Sequence, residues 1–371
     1  MKILSIVGTR PEAIKMAPVI QVLSNVTGVE SKVCITAQHR EMLDQVLGLF
    51  KITADIDLNL MKPNQSLARL TSEIFTYLDP VLDDLKPDWI LAQGDTTTVM
   101  AASLLAYYHR IRFGHVEAGL RTSDKWQPFP EEINRKVAGA IADLNFAPTE
   151  WARGNLLKEN VKDDAIVVTG NTVIDALNQI AAKSPDETTQ DLLSKLELNE
   201  NRRLILVTAH RRENFGQPLV NICEALLRLA DDYGDTLRIL YPVHLNPNVK
   251  NTVYPLLERH PCIMLIPPLD YLPMVQMLKR ASLVLTDSGG LQEEAPGLGV
   301  PVLVMREVTE RPEGVQAGVV KLVGTDQNLI CREVHRLLDD PAAYIQMAQA
   351  VNPYGDGHAA ERIKDALLLQ A

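Results

Sequence analysis

The chain has 371 residues, 46% of them apolar and 23% charged, and a formal net charge of −10. That length suits two domains of ordinary size, each burying its own core. The acidic balance argues against nonspecific binding of nucleic acid and against docking on an anionic membrane, although a local cluster of Arg and His could still hold a small anion.

The opening "MKILSIVGTRPEAIK" has too short an apolar run for a signal peptide. No stretch is apolar for long enough to span a bilayer. Cys34, Cys223, Cys262 and Cys331 are scattered, with no Cys-x-x-Cys pair. They read as reduced core residues of a cytoplasmic protein.

Strand and helix signals alternate along the first half. "KILSIV" predicts a strand and "EAIKMAPVIQVL" a helix. "SKVCITA" predicts a second strand and "REMLDQVLGLF" a second helix. "LARLTSEIFTYLDPVLDDL" is a long amphipathic helix stopped by Pro87. "DWILAQ", "IRFGHV" and "LNFAP" are further strands, with helices "TTVMAASLLAYYH" and "EEINRKVAGAIA" between them. This is a βα repeat on a mostly parallel sheet. The pattern changes near "TGNTVIDALNQ", and the polar segment 183–203 reads as the region of the connection. A second series follows: "LILVTAH", "LRILYPV", "CIMLIPP", "SLVLTDSGG", "VPVLVM" and "VVKLVG". The expectation is an α/β protein of two doubly wound, Rossmann-like domains facing a central cleft. Residues 1–170 would form the first, 171–355 the second, and a last helix, about 356–371, would pack back on the first.

Ligands of open parallel sheets bind outside the carboxyl ends of the strands, so the loops there carry the chemistry. "TDSGGLQEEAP" offers the Ser288 hydroxyl, two glycines that admit a ligand to the backbone, and a helix N-terminus, which together suit a phosphate. Gly289-Gly290 could equally be a tight turn. Glu293 or Glu294 could accept from a ribose diol, or both could be solvated first-turn carboxylates. After the first strand, Arg10 suits a phosphate contact, or else caps a carbonyl or pairs with Glu12. Asp95 follows the strand "DWILA" and could cap the next helix instead of reacting. His115 and Glu117 are two apart on a strand, but the cysteines of a zinc deaminase are missing, and no metal is expected. Glu131 with Arg135, and Glu132 with Lys136, have the spacing of surface pairs. Asp95, Glu117 and Glu131 nevertheless all follow strands or loops at one sheet edge, where like charges can divide acid and base roles. "VTAHRRENFG" gathers His210, Arg211 and Arg212 into the clearest cationic cluster of the chain.

The motifs "GTRPEAIKMAP", "TAQHREMLDQV", "GDTTT", "GHVEAGLRT", "PFPEEINR", "TGNTVIDAL", "TAHRRENFG", "YPVHLNP", "LTDSGGLQEEAP", "TERPEG" and "NPYGDG" run in this order from Val7 to Gly357. Together they resemble the bacterial non-hydrolysing UDP-N-acetylglucosamine 2-epimerases. The resemblance implies a two-domain glycosyltransferase-B type fold and a cytoplasmic homodimer. It implies interconversion of UDP-GlcNAc and UDP-ManNAc without metal or nicotinamide cofactor, by elimination of UDP to 2-acetamidoglucal and re-addition, for cell-surface polysaccharide synthesis. The C2 proton is not acidic, so cleavage of the C1–O bond has to carry much of the transition state. That chemistry needs positioned carboxylates and a cationic clamp on the departing diphosphate. Asp95, Glu117, Glu131 and His210 match the catalytic set. Arg10, Lys15, Arg135, Ser288, Gly289, Gly290, Glu294 and Arg311 match substrate or UDP contacts, with Glu294 on the ribose and Arg311 near the phosphates. A second, activating UDP-GlcNAc site would use Gln38, Glu41, Asn64, Glu131, Arg212 and His244, with Glu41 where an amide is usual and Asn64 where an arginine is usual. The rival readings are a hydrolysing epimerase, a glycosyltransferase of the same fold and an inactive UDP-sugar sensor.

Overall fold

The computed structural model describes residues 1–36, 40–60, 62 and 65–370, and of residues 40–42 only the backbone. The chain divides into two units, Met1–Ala176 with Tyr354–Ala371, and Leu177–Pro353. Among the described residues no helix is long and apolar enough to cross a membrane.

The first unit is built on β1 (Lys2–Val7), β2 (Glu30–Ile35), β3 (Ile56–Asp57), β4 (Trp89–Gln93), β5 (Arg112–Val116), β6 (Leu144–Ala147) and β7 (Ile166–Val168). All pair in parallel, in the order β3-β2-β1-β4-β5-β6-β7. Its crossovers carry α1 (Arg10–Ser24), α2 (Arg40–Phe50), α3 (Leu67–Leu85), α4 (Thr97–His109), α5 (Glu131–Ile141) and α6 (Glu150–Lys158), and α7 (Thr172–Ala181) follows β7. Alternation along the strands sends every second residue to one face. Leu4, Ile6, Ile90 and Ala92 thus meet Leu70, Ile74, Leu78 and Leu82 of α3 and Val99, Ala102 and Leu105 of α4 in one core. Ile3, Val7 and Leu91 are buried as well, so the sheet is covered on both sides. The helix α3 ends at Lys86, which takes a left-handed backbone before Pro87 forbids another turn. The strands β3 and β7 were not expected. With two and three residues they are too short to show alternation.

In the second unit α8 (Glu187–Leu196) precedes β8 (Arg203–Thr208). Then come α9 (Gln217–Tyr233), β9 (Leu237–Pro242), α10 (Pro247–Leu257), β10 (Ile263–Ile266), α11 (Tyr271–Arg280), β11 (Leu283–Thr286), α12 (Leu291–Gly297), β12 (Val302–Val304), α13 (Pro312–Gln316), β13 (Val320–Leu322), α14 (Gln327–Asp339) and α15 (Pro341–Ala348). The sheet is again parallel, in the order β10-β9-β8-β11-β12-β13. Here the alternation is plain. Ile205, Val207, Ile239, Tyr241, Leu283 and Leu285 face one core, with α9, α10 and α14. Leu204, Leu206, Leu240, Val284, Val302 and Val304 face the other, with α8, α11 and α12. Both units are therefore Rossmann-like.

The polar segment 183–203 is no open connection. Asp186 caps α8 by accepting from Thr189 N–H, and Leu192, Leu193 and Leu196 pack on the second unit's core. Its charges hide an amphipathic helix. The last helix, α16 (Ala359–Leu368), belongs to the first unit. Buried Asp175 accepts the N–H groups of Ala359 (3.2 Å) and Ala360 (2.9 Å) at its start. Arg362 donates to the Thr169 carbonyl and holds Asp356 with both arms of its guanidinium. Gly170 and Gly355 meet face to face, both with positive φ. A Cβ on Gly355 would lie 3.2 Å from Gly170 Cα, so the chain can return here only over glycine.

Candidate active site

Each sheet reverses its strand order once, between β1 and β4 in the first unit and between β8 and β11 in the second. Such a switch point leaves the loops of two neighbouring strands diverging, which opens a crevice for a ligand. Arg10 and Asp95 follow β1 and β4. His210 and Ser288 follow β8 and β11. The candidate residues thus stand at the two places where topology makes room.

In the first unit the turn after β1 is organised by Glu12, which is 2% exposed. Its carboxylate accepts from Gly8 N–H (2.8 Å), Thr9 N–H (2.5 Å) and the Thr96 hydroxyl (2.5 Å). It therefore closes a capping box on α1 and ties that turn to the one carrying Asp95. Burial pushes its pKa up to about 7, against these hydrogen bonds, which pull it down. Arg10 begins α1 beside this turn, and Glu12 is held by Gly8, Thr9 and Thr96 rather than by Arg10, the alternative that sequence spacing had left open.

Asp95 accepts from Arg135 Nη2 through Oδ2 (2.5 Å), and its carbonyl accepts from Asn134 Nδ2 (2.9 Å). The start of α5, where Glu131 stands, is thereby fastened to the Asp95 turn. Arg135 also reaches Glu132 (3.4 Å). Glu132 is fully buried and accepts from the backbone N–H groups of Thr122 and Ser123, which shapes the loop before α5. Lys136 lies near Glu159 (3.8 Å), not on Glu132. The expected pair of Glu132 with Lys136 gives way to contacts that hold the site loop.

Glu117 follows β5 with φ +64°, a backbone that non-glycine residues adopt only under constraint. Its Oε2 accepts from Lys15 Nζ and from Gln93 Nε2 (2.9 Å). Lys15 thus reaches a carboxylate of the candidate site from α1. The strand β5 ends at Val116 and Glu117 is left-handed, so the strand alternation that would align Glu117 with His115 does not extend to it. His115 is fully buried, with Nε2 against the Gly94 carbonyl (2.7 Å). A carbonyl only accepts, so Nε2 carries the proton. Burial lowers the His115 pKa to about 4, and the ring is neutral. Among the described residues no group of three or more His, Cys, Asp or Glu side chains is placed to hold a metal.

In the second unit the organising residue is Asp287, fully buried at the end of β11. Its Oδ2 accepts from the N–H groups of His210 (2.7 Å) and Arg211 (2.8 Å) and from Asn214 Nδ2 (3.1 Å). Its Oδ1 lies 3.3 Å from His210 Nδ1. The His210 ring stacks on His244 at 5.3 Å. Burial lowers the His210 pKa, opposed by the Asp287 charge and aided by His244 and Arg211. The glycine turn has a defined reason. A Cβ on Gly289 would lie 2.7 Å from Arg311 Nη1. Arg311 is held there by Glu293 (2.5 Å) and Glu310 (3.2 Å). Glu293 and Glu294 are 1% and 8% exposed, so neither is a solvated first-turn carboxylate. Gly290 precedes α12 in helical conformation. A chain of alternating charge runs from Glu213 through Arg306, Glu310 and Arg311 to Glu293.

Gln38 and Asn64, and the side chain of Glu41, lie outside the described residues. Arg212 and His244 are exposed. Sequence reasoning overlooked Gln93, Asp287, Arg306 and Glu310, and gave Glu132 only the spacing of a surface pair. Gln93, Asp287 and Arg306 serve partners far along the chain, Glu117, His210 and Glu213. The one local signal was an Asp between a strand and a Ser-Gly-Gly turn, at position 287.

The family model described as UDP-N-acetylglucosamine 2-epimerase matches residues 21–368. A UDP-N-acetylglucosamine 2-epimerase of Salmonella typhimurium is 54% identical over 99% of this chain and 98% of its own. The crystal structure of UDP-GlcNAc 2-epimerase from Neisseria meningitidis, bound to UDP-GlcNAc, is 50% identical, covers all of both chains and superposes with a TM-score of 0.92. That of the Methanocaldococcus jannaschii enzyme, in complex with UDP-GlcNAc and UDP, is 33% identical over all of both chains, with a TM-score of 0.81.

Proposed function

The chain belongs to the UDP-N-acetylglucosamine 2-epimerase family, and on that premise we propose that it interconverts UDP-GlcNAc and UDP-ManNAc without net hydrolysis. Its two Rossmann-like units are of glycosyltransferase-B type. The reaction removes H2 and cleaves C1–O, so that UDP departs from 2-acetamidoglucal. UDP then returns to C1 as a proton is delivered to the other face of C2. Asp95, Glu117 and Glu131 serve the proton transfers. Arg10, His210, Arg311 and the Ser288-Gly289-Gly290 turn hold the diphosphate, and Glu294 holds the ribose. Arg135 and Lys15 fix Asp95 and Glu117. The observation that carries this reading is the sheet edge of the first unit, where Asp95 and Glu117 are each fastened by a cation from a different helix. Fixed carboxylates lower the barrier because they need no reorganisation as charge develops.

The test is incubation with UDP-GlcNAc in D2O, followed by proton NMR. UDP-ManNAc carrying deuterium at C2 is the expected product. Free ManNAc with UDP would replace this reading by a hydrolysing one, and unexchanged substrate would favour a transferase or a sensor. The enzyme works in the cytoplasm, supplying ManNAc units for surface polysaccharide. Its four buried, free cysteines suit a reducing compartment. It works as a homodimer. Tyr77 on α3 and Tyr107 and Tyr108 on α4 are 49%, 68% and 63% exposed, and this aromatic face suits a second copy. Light scattering of the native protein and of a Tyr107→Lys, Tyr108→Glu variant reads it, and a wild-type monomer would remove the idea.

A further inference from the structure

Gln93 ends β4, is 3% exposed, and has no part in the reaction as described so far. Its amide nitrogen donates to Glu117 Oε2 at 2.9 Å. Lys15 donates to the same oxygen. An amide oxygen turned toward a carboxylate would repel it, so the neighbour dictates which end of the amide faces Glu117. The two donors come from different elements, β4 and α1, and converge on one atom. Oε1 of Glu117 has no hydrogen bond among the described residues. The backbone at Glu117 is left-handed, and its side chain is 7% exposed. A left-handed glutamate persists only where its surroundings determine it.

We propose that Gln93 is a positioning residue for the proton transfer: with Lys15 it clamps Oε2 of Glu117 and leaves Oε1 as the oxygen that exchanges the proton with C2. This rests on the reading of Glu117 as one of the reacting carboxylates. A single ammonium is a point charge about which a carboxylate can pivot. A second donor from a buried strand removes that freedom. A neutral amide does so without adding a second positive charge beside the acid. The strand also makes the clamp rigid, since β4 lies between β1 and β5 in the sheet, and β5 leads directly into Glu117.

The experiment compares wild type with Gln93→Leu, which keeps the size and removes the donor, and Gln93→Glu, which sets a carboxylate against Glu117. Rates and KM are measured for UDP-GlcNAc, with thermal unfolding alongside. Gln93→Leu is expected to lower kcat about tenfold or more while KM stays within about twofold, as for an interaction expressed in the transition state. Gln93→Glu is expected to lose more. Wild-type kcat in Gln93→Leu, or a raised KM at unchanged kcat, overturns the proposal. If Gln93→Leu does not fold, Gln93→Met, flexible and of similar length, takes its place. A cycle of Gln93→Leu, Glu117→Gln and the double variant, read by thermal unfolding, tests the contact without any turnover. Non-additive shifts support it and additive shifts overturn it. A wild-type protein that fails to convert UDP-GlcNAc would remove the proposed function, and the cycle would still decide the clamp.

Discussion

Asp287 shows how one buried carboxylate sets a site. It collects two backbone N–H groups and an amide, and so fixes the loop that presents His210. Asp95→Asn and Glu117→Gln, at the carboxylates proposed to move the proton, are each expected to lower kcat about 10²- to 10⁴-fold, the usual range for acid–base groups. Each variant should still unfold in one cooperative transition, and a variant with wild-type turnover would remove its residue from the mechanism. Glu12 makes a different prediction. Its folded pKa of about 7 lies above the ordinary 4.5, so between these values the folded chain holds the extra proton. Its contribution to stability is complete below pH 4.5 and is lost as pH rises to 7, a change on the order of 3 kcal/mol. Glu12→Gln should therefore gain on wild type in thermal unfolding from pH 5 to pH 8. A constant difference across that range would contradict the assignment.

At the scale of elements, what could be read from the chain was what is local. The strands β1, β4, β8 and β11 carry long apolar runs, and their following loops place Arg10, Asp95, His210 and Ser288. The strands β3 and β7 and the helix α8 escaped because two or three residues show no period, and because a mostly polar helix hides a few leucines. Partnerships were not legible at all. Lys15 and Glu117 are 102 residues apart, His210 and Asp287 77, and Asp95 and Arg135 40, and no spacing rule reaches so far. The glycines lie between these cases, since their presence is visible and their reason is not. Gly119 closes the loop that begins at Glu117, with φ +89°, and a Cβ there would lie 2.3 Å from the Ala152 carbonyl oxygen, which is backbone and cannot turn aside. Gly119→Ala is expected to cost about 3 kcal/mol or more. The readout is thermal unfolding, and an unchanged melting temperature would count against the packing of this loop on α6.

At the scale of the molecule, a net charge of −10 coexists with a local cationic cluster after β8, where His210, Arg211 and Arg212 follow one another. The first unit is completed by the far end of the chain. Asp175 receives α16, and Asn171 N–H donates to the Tyr354 carbonyl (2.7 Å). Removing residues 354–371 should raise amide hydrogen exchange across residues 1–176 while leaving 177–353 protected. Equal protection in both would show that α16 is dispensable. The crossing of Gly170 over Gly355 has a temporal side too. During synthesis the first unit waits for its closing helix until the whole of the second has been made. The earlier-begun unit is therefore the later to be completed, and while the second is made it presents an unfinished face.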